Sequence, residues 1–246
     1  ITGHANVEMA VNSLKHGAFE FIEKPFDQTR LLNFIKRAVE NLNLKSQNKE
    51  YESKLFYSYD LVGDSKNIST IKDQINKISV TESRILINGP SGSGKELIAR
   101  KIHKKSKRFK KPFIILNGAL LDSEKYELEL FGEEKENGSI SYGALEKANE
   151  GTLLIDQISE IPLAIQSKIL RVLTDQKFKR LNGNNDINVN VRIICSSSKD
   201  LKEEIKIGNF REDLFHRLNV FEINIKPLNE RISDIPLLIK YFSKKI

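Results

Sequence analysis

The feature that most constrains this chain is an apolar strand running straight into a glycine loop that ends in lysine, Leu86-Ile87-Asn88-Gly89-Pro90-Ser91-Gly92-Ser93-Gly94-Lys95. Gly89, Gly92 and Gly94 let the backbone turn tightly, so successive N–H groups face inward while the following helix presents its positive dipole end. Such a loop cradles phosphate oxygens, and Lys95 would reach the β- and γ-phosphates of a nucleotide. The spacing fits G-x-x-x-x-G-K. A strand is expected over Arg84 to Ile87 and a helix from about Glu96, carrying Leu97, Ile98, Lys101 and Ile102. Glu96 occupies the position where the general pattern has Ser or Thr to bind Mg²⁺ through a hydroxyl. The metal is therefore expected on another group.

A chain of 246 residues, 39% of them hydrophobic, can hold one large α/β domain or one and a half smaller ones around a packed core. No stretch approaches the ~20 apolar residues of a membrane span, and Ile1-Thr2-Gly3-His4 reads as the interior of a longer protein rather than a signal sequence. The single cysteine, Cys195, excludes an internal disulfide framework and suits a cytoplasmic protein; within the apolar run Val191 to Cys195 it reads as a buried, inert thiol. His4, His16, His103 and His216 are scattered without a second ligand at metal spacing. The net charge of +7 permits an anionic partner, and its densest run lies from Arg100 to Lys111. No aromatic interleaving accompanies that run, so a solvated basic face is preferred over a nucleic-acid surface.

Along the chain, residues 1–40 read as one unit. It comprises a strand end, a helix bearing Val7, Ala10, Val11 and Leu14, the strand Ala18 to Ile22, and a helix with Leu31, Leu32, Ile35, Ala38, Val39 and Leu42. Residues 41–59 keep helical propensity but lose the apolar stripe, which marks a linker. From Asp60 a second unit begins with Leu61-Val62-Gly63 and a helix bearing Ile68, Ile71, Ile75 and Ile78. Apolar runs at Pro112 to Leu116, Thr152 to Ile155 and Val189 to Cys195 follow, with a helix over Ile165 to Leu173. Strands alternating with helices argue a parallel sheet covered on both faces.

A phosphate loop needs a second carboxylate, and Leu153-Leu154-Ile155-Asp156 places one at the end of an apolar strand, where it can hold Mg²⁺ or its water. Gln157 comes next. A glutamate there would orient the attacking water and take its proton; glutamine can hydrogen-bond the water but cannot accept the proton. A general base is worth ~10²–10⁴ in rate, roughly 3–5 kcal/mol of barrier. Nucleotide binding with slow or absent hydrolysis is expected.

These residues resemble the NtrC-like bacterial enhancer-binding response regulators, over nearly the whole chain. Gly89 to Glu96 is similar to the family's GESGTGKE, which makes Glu96 normal for the family. Glu129-Leu130-Phe131-Gly132, Gly151-Thr152-Leu153, Ile169 to Leu173, Phe210 to Leu214 and Arg217 to Val220 match further family stretches in order. The resemblance implies the end of a flavodoxin-like receiver domain over 1–40, with Thr2 as switch hydroxyl, Phe21 as switch aromatic and Lys24 as the phosphoryl-contacting lysine. It implies an AAA+ ATP-binding domain, a doubly wound parallel sheet, over 60–225, and the start of a helical lid over 226–246. By the same match Val62, Gly63, Gly89 to Glu96, Gly151 to Gln157 and Ser198 would contact ATP. Asp156 would hold Mg²⁺, and Arg211 and Arg217 would be offered to a neighbouring subunit of a homo-oligomer, dimer or ring.

Departures from the family are equally specific. Where members that drive sigma-54 polymerase carry a GAFTGA loop, this chain has the shorter Glu136-Asn137-Gly138-Ser139-Ile140-Ser141-Tyr142-Gly143-Ala144, so contact with that polymerase is not expected. Ser196-Ser197-Ser198 replaces Ala-Thr-Asn at the γ-phosphate sensor, and Gln157 replaces the catalytic Glu. The short loop and serine-rich sensor resemble the NtrX branch. The resulting expectation is a fragment of a two-component transcriptional regulator partnered by a sensor histidine kinase, contacting DNA through a domain outside this chain. Two rival readings stand beside it: a working ATPase that remodels sigma-54 polymerase, and a non-functional gene remnant.

Overall fold

The computed structural model describes residues 22, 24–27, 31–36, 38–39, 60–120, 123–135 and 138–244. The chain divides into two units, Ile1–Tyr59 and Asp60–Ile246. In the first, residues 31–36 and 38–39 are helical; of the apolar residues expected on one stripe, Leu31 and Ala38 are half-buried and Leu32, Ile35 and Val39 are exposed. Lys24 is exposed. Thr2, Phe21, His4, His16 and the linker 41–59 lie outside the described residues.

The second unit opens with α1 (Lys66–Ser79), capped where the Ser65 side chain accepts from the Ile68 N–H. Ile68, Ile71, Ile75 and Ile78 recur at helical spacing and all are buried. At the other end of α1 a residue unremarkable in sequence becomes structural. Arg192 is 2% exposed and donates to the carbonyls of Ile78 (2.9 Å), Ser79 (3.2 Å) and Ser83 (3.4 Å). Burial lowers its pKa, and the negative end of the helix gives the guanidinium its partners.

Next come β1 (Ile85–Asn88), α2 (Lys95–Lys105), β2 (Phe113–Asn117), α3 (Ser123–Phe131), a hairpin of β3 (Gly132–Glu134) and β4 (Ile140–Tyr142), α4 (Ala144–Lys147) and β5 (Thr152–Asp156). Then follow α5 (Leu163–Asp175), a second hairpin of β6 (Lys177–Phe178) and β7 (Ile187–Asn188), β8 (Arg192–Ser197), α6 (Leu201–Lys206), α7 (Glu212–Leu218), β9 (Phe221–Asn224) and α8 (Ile235–Phe242). The main sheet has order β2-β5-β8-β1-β9 with every neighbouring pair parallel. Alternation along each strand sorts the core into two layers. Ile85, Ile87, Leu154 and Ile194 pack with α1 and α2 on one face, while Leu86, Leu153, Ile155, Ile193 and Cys195 pack with α3, α5 and α7 on the other. Helices on both faces of a parallel sheet are the expected architecture.

Details of the strands differ from the sequence reading. The run Val189 to Cys195 is not one strand. β8 starts only at Arg192, because the N–H groups of Val189 and Asn190 are taken by the Gln176 carbonyl and the Asn149 side chain. Neither hairpin is visible in the periodicity, since strands of two or three residues are too short to show alternation. Once formed, the hairpins lock together. Leu181 N–H donates to Gly132 O and Glu134 N–H to Leu181 O, both at 3.0 Å, and Arg180 is held by Glu134 and by both carboxylate oxygens of Glu146. Among the described residues no helix is long and apolar enough to cross a membrane.

Candidate nucleotide site

The loop after β1 is shaped by what backs it. A Cβ on Gly89 would lie 2.3 Å from Ile225 Cγ2 and 2.6 Å from the Ile225 carbonyl, so only glycine lets the chain pass here. Gly94, with φ 103°, leads into α2, whose first residue is Lys95. Lys95 is 6% exposed, and its Nζ donates to the carbonyls of Gly89 (2.8 Å) and Pro90 (2.9 Å). Burial lowers its pKa and the charge of Asp156 opposes that shift, which places Asp156 within electrostatic reach of the ammonium. Ser93 Oγ is buried without a hydrogen-bond partner among the described residues. Glu96 is exposed and pairs with Arg100 at 2.7 Å on the surface of α2.

Behind the loop lies a cluster that the sequence analysis did not single out. Asp234 is fully buried and accepts from Asp64 N–H, Ser65 N–H and Ser65 Oγ, each at 2.8 Å. A Cβ on Gly63 would come within 2.7 Å of that carboxylate. Desolvation alone would raise the Asp234 pKa, but the bonds from Ser65 and Asp64 and the Arg231 charge outweigh it, so the net shift is downward. Arg231, 3.8 Å from Asp234, donates to the Ser93 carbonyl at 3.3 Å. Gly63, predicted from the resemblance alongside Val62, is thus connected to the phosphate loop through Asp234 and Arg231. The signal was an Arg and an Asp three apart, too common a pattern to read alone.

Across the sheet, Asp156 ends β5 and Gln157 begins the next turn with φ 58°. Ser196 Oγ donates to Asp156 Oδ1 and accepts from Gln157 N–H at 3.2 Å. Gln157 Oε1 accepts from Ser198 N–H at 3.1 Å and from Ser198 Oγ at 2.8 Å. The Ser197 carbonyl accepts from Gly89 N–H at 3.2 Å, which joins this network to the root of the phosphate loop. Of the predicted run from Gly151, only Asp156 and Gln157 stand at this end. Thr152, Leu153, Leu154 and Ile155 form the buried body of β5, and Gly151 lies beyond its opposite end, packed against the Pro112 carbonyl. The structure thus places these five residues along and before the strand, and Asp156 and Gln157 at its carboxyl end, where parallel strands present ligand-facing groups.

Arg211 precedes α7, exposed, with its guanidinium on Asp213 and its N–H on Gln166 Oε1. Arg217 is exposed near the end of α7, and its carbonyl accepts from Arg84 at 3.0 Å. Neither makes a hydrogen bond to the phosphate loop. The basic run from Arg100 to Lys111, on the second half of α2 and just beyond it, is engaged by nearby groups: Lys101 with Asp60, Lys105 with Asn76, Arg108 with Glu82 and Asn190, and Lys111 with Glu150. His103 is buried against Thr152 Oγ1 at 2.9 Å, and burial lowers its pKa to about 4. Cys195 is buried and its thiol is pushed up by desolvation, in keeping with an inert residue. Among the described residues no cluster of His, Cys, Asp and Glu could hold a metal by itself.

A lysine beside a turned glycine loop, an orphaned serine hydroxyl and a carboxylate with Oδ2 to spare suit a polyphosphate and a divalent cation. Together with the strand order, they make this unit a parallel-sheet α/β P-loop domain of the AAA+ class. Residues 61–224 match the model described as the sigma-54 interaction domain, and the chain belongs to that family. It is 46% identical over 243 residues to the nitrogen assimilation regulatory protein NtrX of Azorhizobium caulinodans, covering 98% of this chain and 53% of that protein. The crystal structure of NtrX from Brucella abortus superimposes with a TM-score of 0.78 at 43% identity, over 98% of this chain and 54% of that one. The same protein in complex with ATP gives 0.75 at 43% identity, over 99% and 55%. The chain spans about half the length of the curated relatives it matches.

Proposed function

We propose that this chain is the nucleotide-binding centre of a two-component response regulator that controls transcription. Residues 1–40 form the end of its receiver, 41–59 a helical linker and 226–246 the start of its lid. The observation that carries the reading is Lys95, withdrawn onto the Gly89 and Pro90 carbonyls where phosphate oxygens would replace them, with Asp156 across from it. The ATP complex of the Brucella abortus relative supports the same ligand here.

In this reading the loop N–H groups and Lys95 bind the phosphates, and Asp156 would hold Mg²⁺ through Oδ2 while Ser196 keeps Oδ1 in place. Mg²⁺ held by Asp156 would supply positive charge that offsets the charge of the phosphates. Gln157 offers no base for an attacking water, so ATP acts chiefly as an effector of assembly. Arg211 and Arg217 face outward and would meet the phosphates of a neighbouring subunit in a homo-oligomer. A sensor histidine kinase would act on the receiver, DNA would be contacted elsewhere in the full protein, and without a GAFTGA tip sigma-54 polymerase would not be engaged.

The test is Mg-ATP binding and turnover by the full protein beside Gln157→Glu. We expect binding by both and turnover only in the variant, higher by ~10²-fold or more, the worth of a general base. Turnover by the wild type at the rate of the variant would instead favour a working motor.

A further inference from the structure

A glutamine with φ 58° persists only where its surroundings hold it. The serines of β8 and the residue after it provide that hold. Ser196 is fully buried and ties the Gln157 N–H to the Asp156 carboxylate, while Ser198 donates to Gln157 Oε1 through both its N–H (3.1 Å) and its hydroxyl (2.8 Å). A backbone N–H can only donate, so the contact with Ser198 N–H establishes which end of the amide is the oxygen. Both acceptor positions of Oε1 are then filled. Nε2 keeps its N–H donors, with no partner among the described residues. Gln157 is half-buried and Ser198 exposed, so the amide stands at the rim of the sheet, one residue along from the Ser197 carbonyl that holds Gly89.

A saturated oxygen cannot accept from a water, and free N–H donors near a phosphate loop seek an anion. We propose that Gln157 is a specificity residue whose Nε2 donates to the terminal phosphoryl oxygens, so that the site selects a nucleoside triphosphate over a diphosphate. Ser196 and Ser198 are its positioning residues. The proposal rests on the nucleotide-binding reading above. It inverts the expectation for this place in the sequence: the glutamine is a γ-phosphate donor held in place by serines rather than a defective base.

Glutamate at 157 would accept the same bonds from Ser198 but set a second anionic oxygen where Nε2 stands. The test is calorimetric titration of the wild type, Gln157→Glu, Ser198→Ala and Lys95→Ala, with AMP-PNP and separately with ADP, both with Mg²⁺, after thermal melting has shown each to be folded. The wild type is expected to prefer AMP-PNP by about tenfold or more, the worth of one or two hydrogen bonds to a charged group. Gln157→Glu should lower AMP-PNP affinity by about tenfold and leave ADP within about twofold, with Ser198→Ala intermediate near threefold. Equal losses for both nucleotides, or a wild type without preference, overturn the proposal. If the wild type binds both equally and Lys95→Ala binds neither, the nucleotide site stands and only the selectivity falls. If the wild type binds neither, both readings fall.

Discussion

The two sides of the site are built differently. On the β1 side the loop is held by backbone geometry and by one cation: Gly89 fits under Ile225, and Lys95 neutralises the turn by bonding its carbonyls. On the β5 and β8 side the groups are held by side chains, with serine hydroxyls fixing Asp156 and Gln157. The loop side follows the general phosphate-loop pattern; the serine side departs from it. The glycine cradle and the serine-held amide therefore sit on separate parts of the sheet, and one can follow the general pattern while the other departs from it.

Removing the cation should break the comparison most severely. Lys95→Ala is expected to lose ~100-fold or more in Mg-ATP affinity, the scale of a buried charge bonded to phosphate, while the serine network keeps the fold, as circular dichroism melting would show. A melting temperature that collapses with the affinity would mean that the two sides are not separable.

Acid should loosen the join between them from the far end of the sheet. His103, on α2, meets Thr152 at the start of β5, and burial lowers its pKa from 6.5 to about 4. A depressed histidine leaves the folded state short of a proton that the unfolded chain binds. Its stability contribution is full above pH 6.5 and is lost as pH falls toward about 4, by roughly 3 kcal/mol. Denaturant unfolding between pH 7 and pH 4 would measure that slope, and His103→Gln should flatten it; an unchanged slope would refute the assignment. Asp234, whose pKa is depressed, adds stability that is present above the carboxylate's unfolded value and falls only below about pH 4.

The loop side should depend on its buried backing. Asp234→Ala leaves the N–H groups of Asp64 and Ser65 without their acceptor, which should cost about 2 kcal/mol of stability in a urea titration. The smallest effect belongs to the serine side. Ser196→Ala removes one hydroxyl from a packed strand and should cost about 1 kcal/mol in the same titration. A loss greater than that of Asp234→Ala would reverse the comparison.

Much of this was legible beforehand. The loop, the Asp156 strand and the helix bearing Ile68 to Ile78 each announce themselves through contiguous residues. The strand limits shifted by one residue, Arg84 to Ile87 becoming Ile85–Asn88, because an apolar run and a hydrogen-bonded ladder need not coincide. Arg192, Asp234 and Arg231 were not legible as core groups, since a charged residue reads as exposed until its carbonyl or N–H partners are known.

The sequence by itself determined the phosphate cradle, the alternation of strands and helices and the identity of the residue after Asp156, because each is encoded within a few consecutive positions. Only the tertiary structure decided how the amide of that residue is held. Ser198 lies 41 residues further along the chain, and it reaches Gln157 because β5 and β8 pair in parallel register, Ile155 opposite Cys195. A hydrogen bond of that sequence separation exists only once the sheet has closed, and with the Ser198 hydroxyl it occupies Oε1 and leaves Nε2 as the open end of the amide.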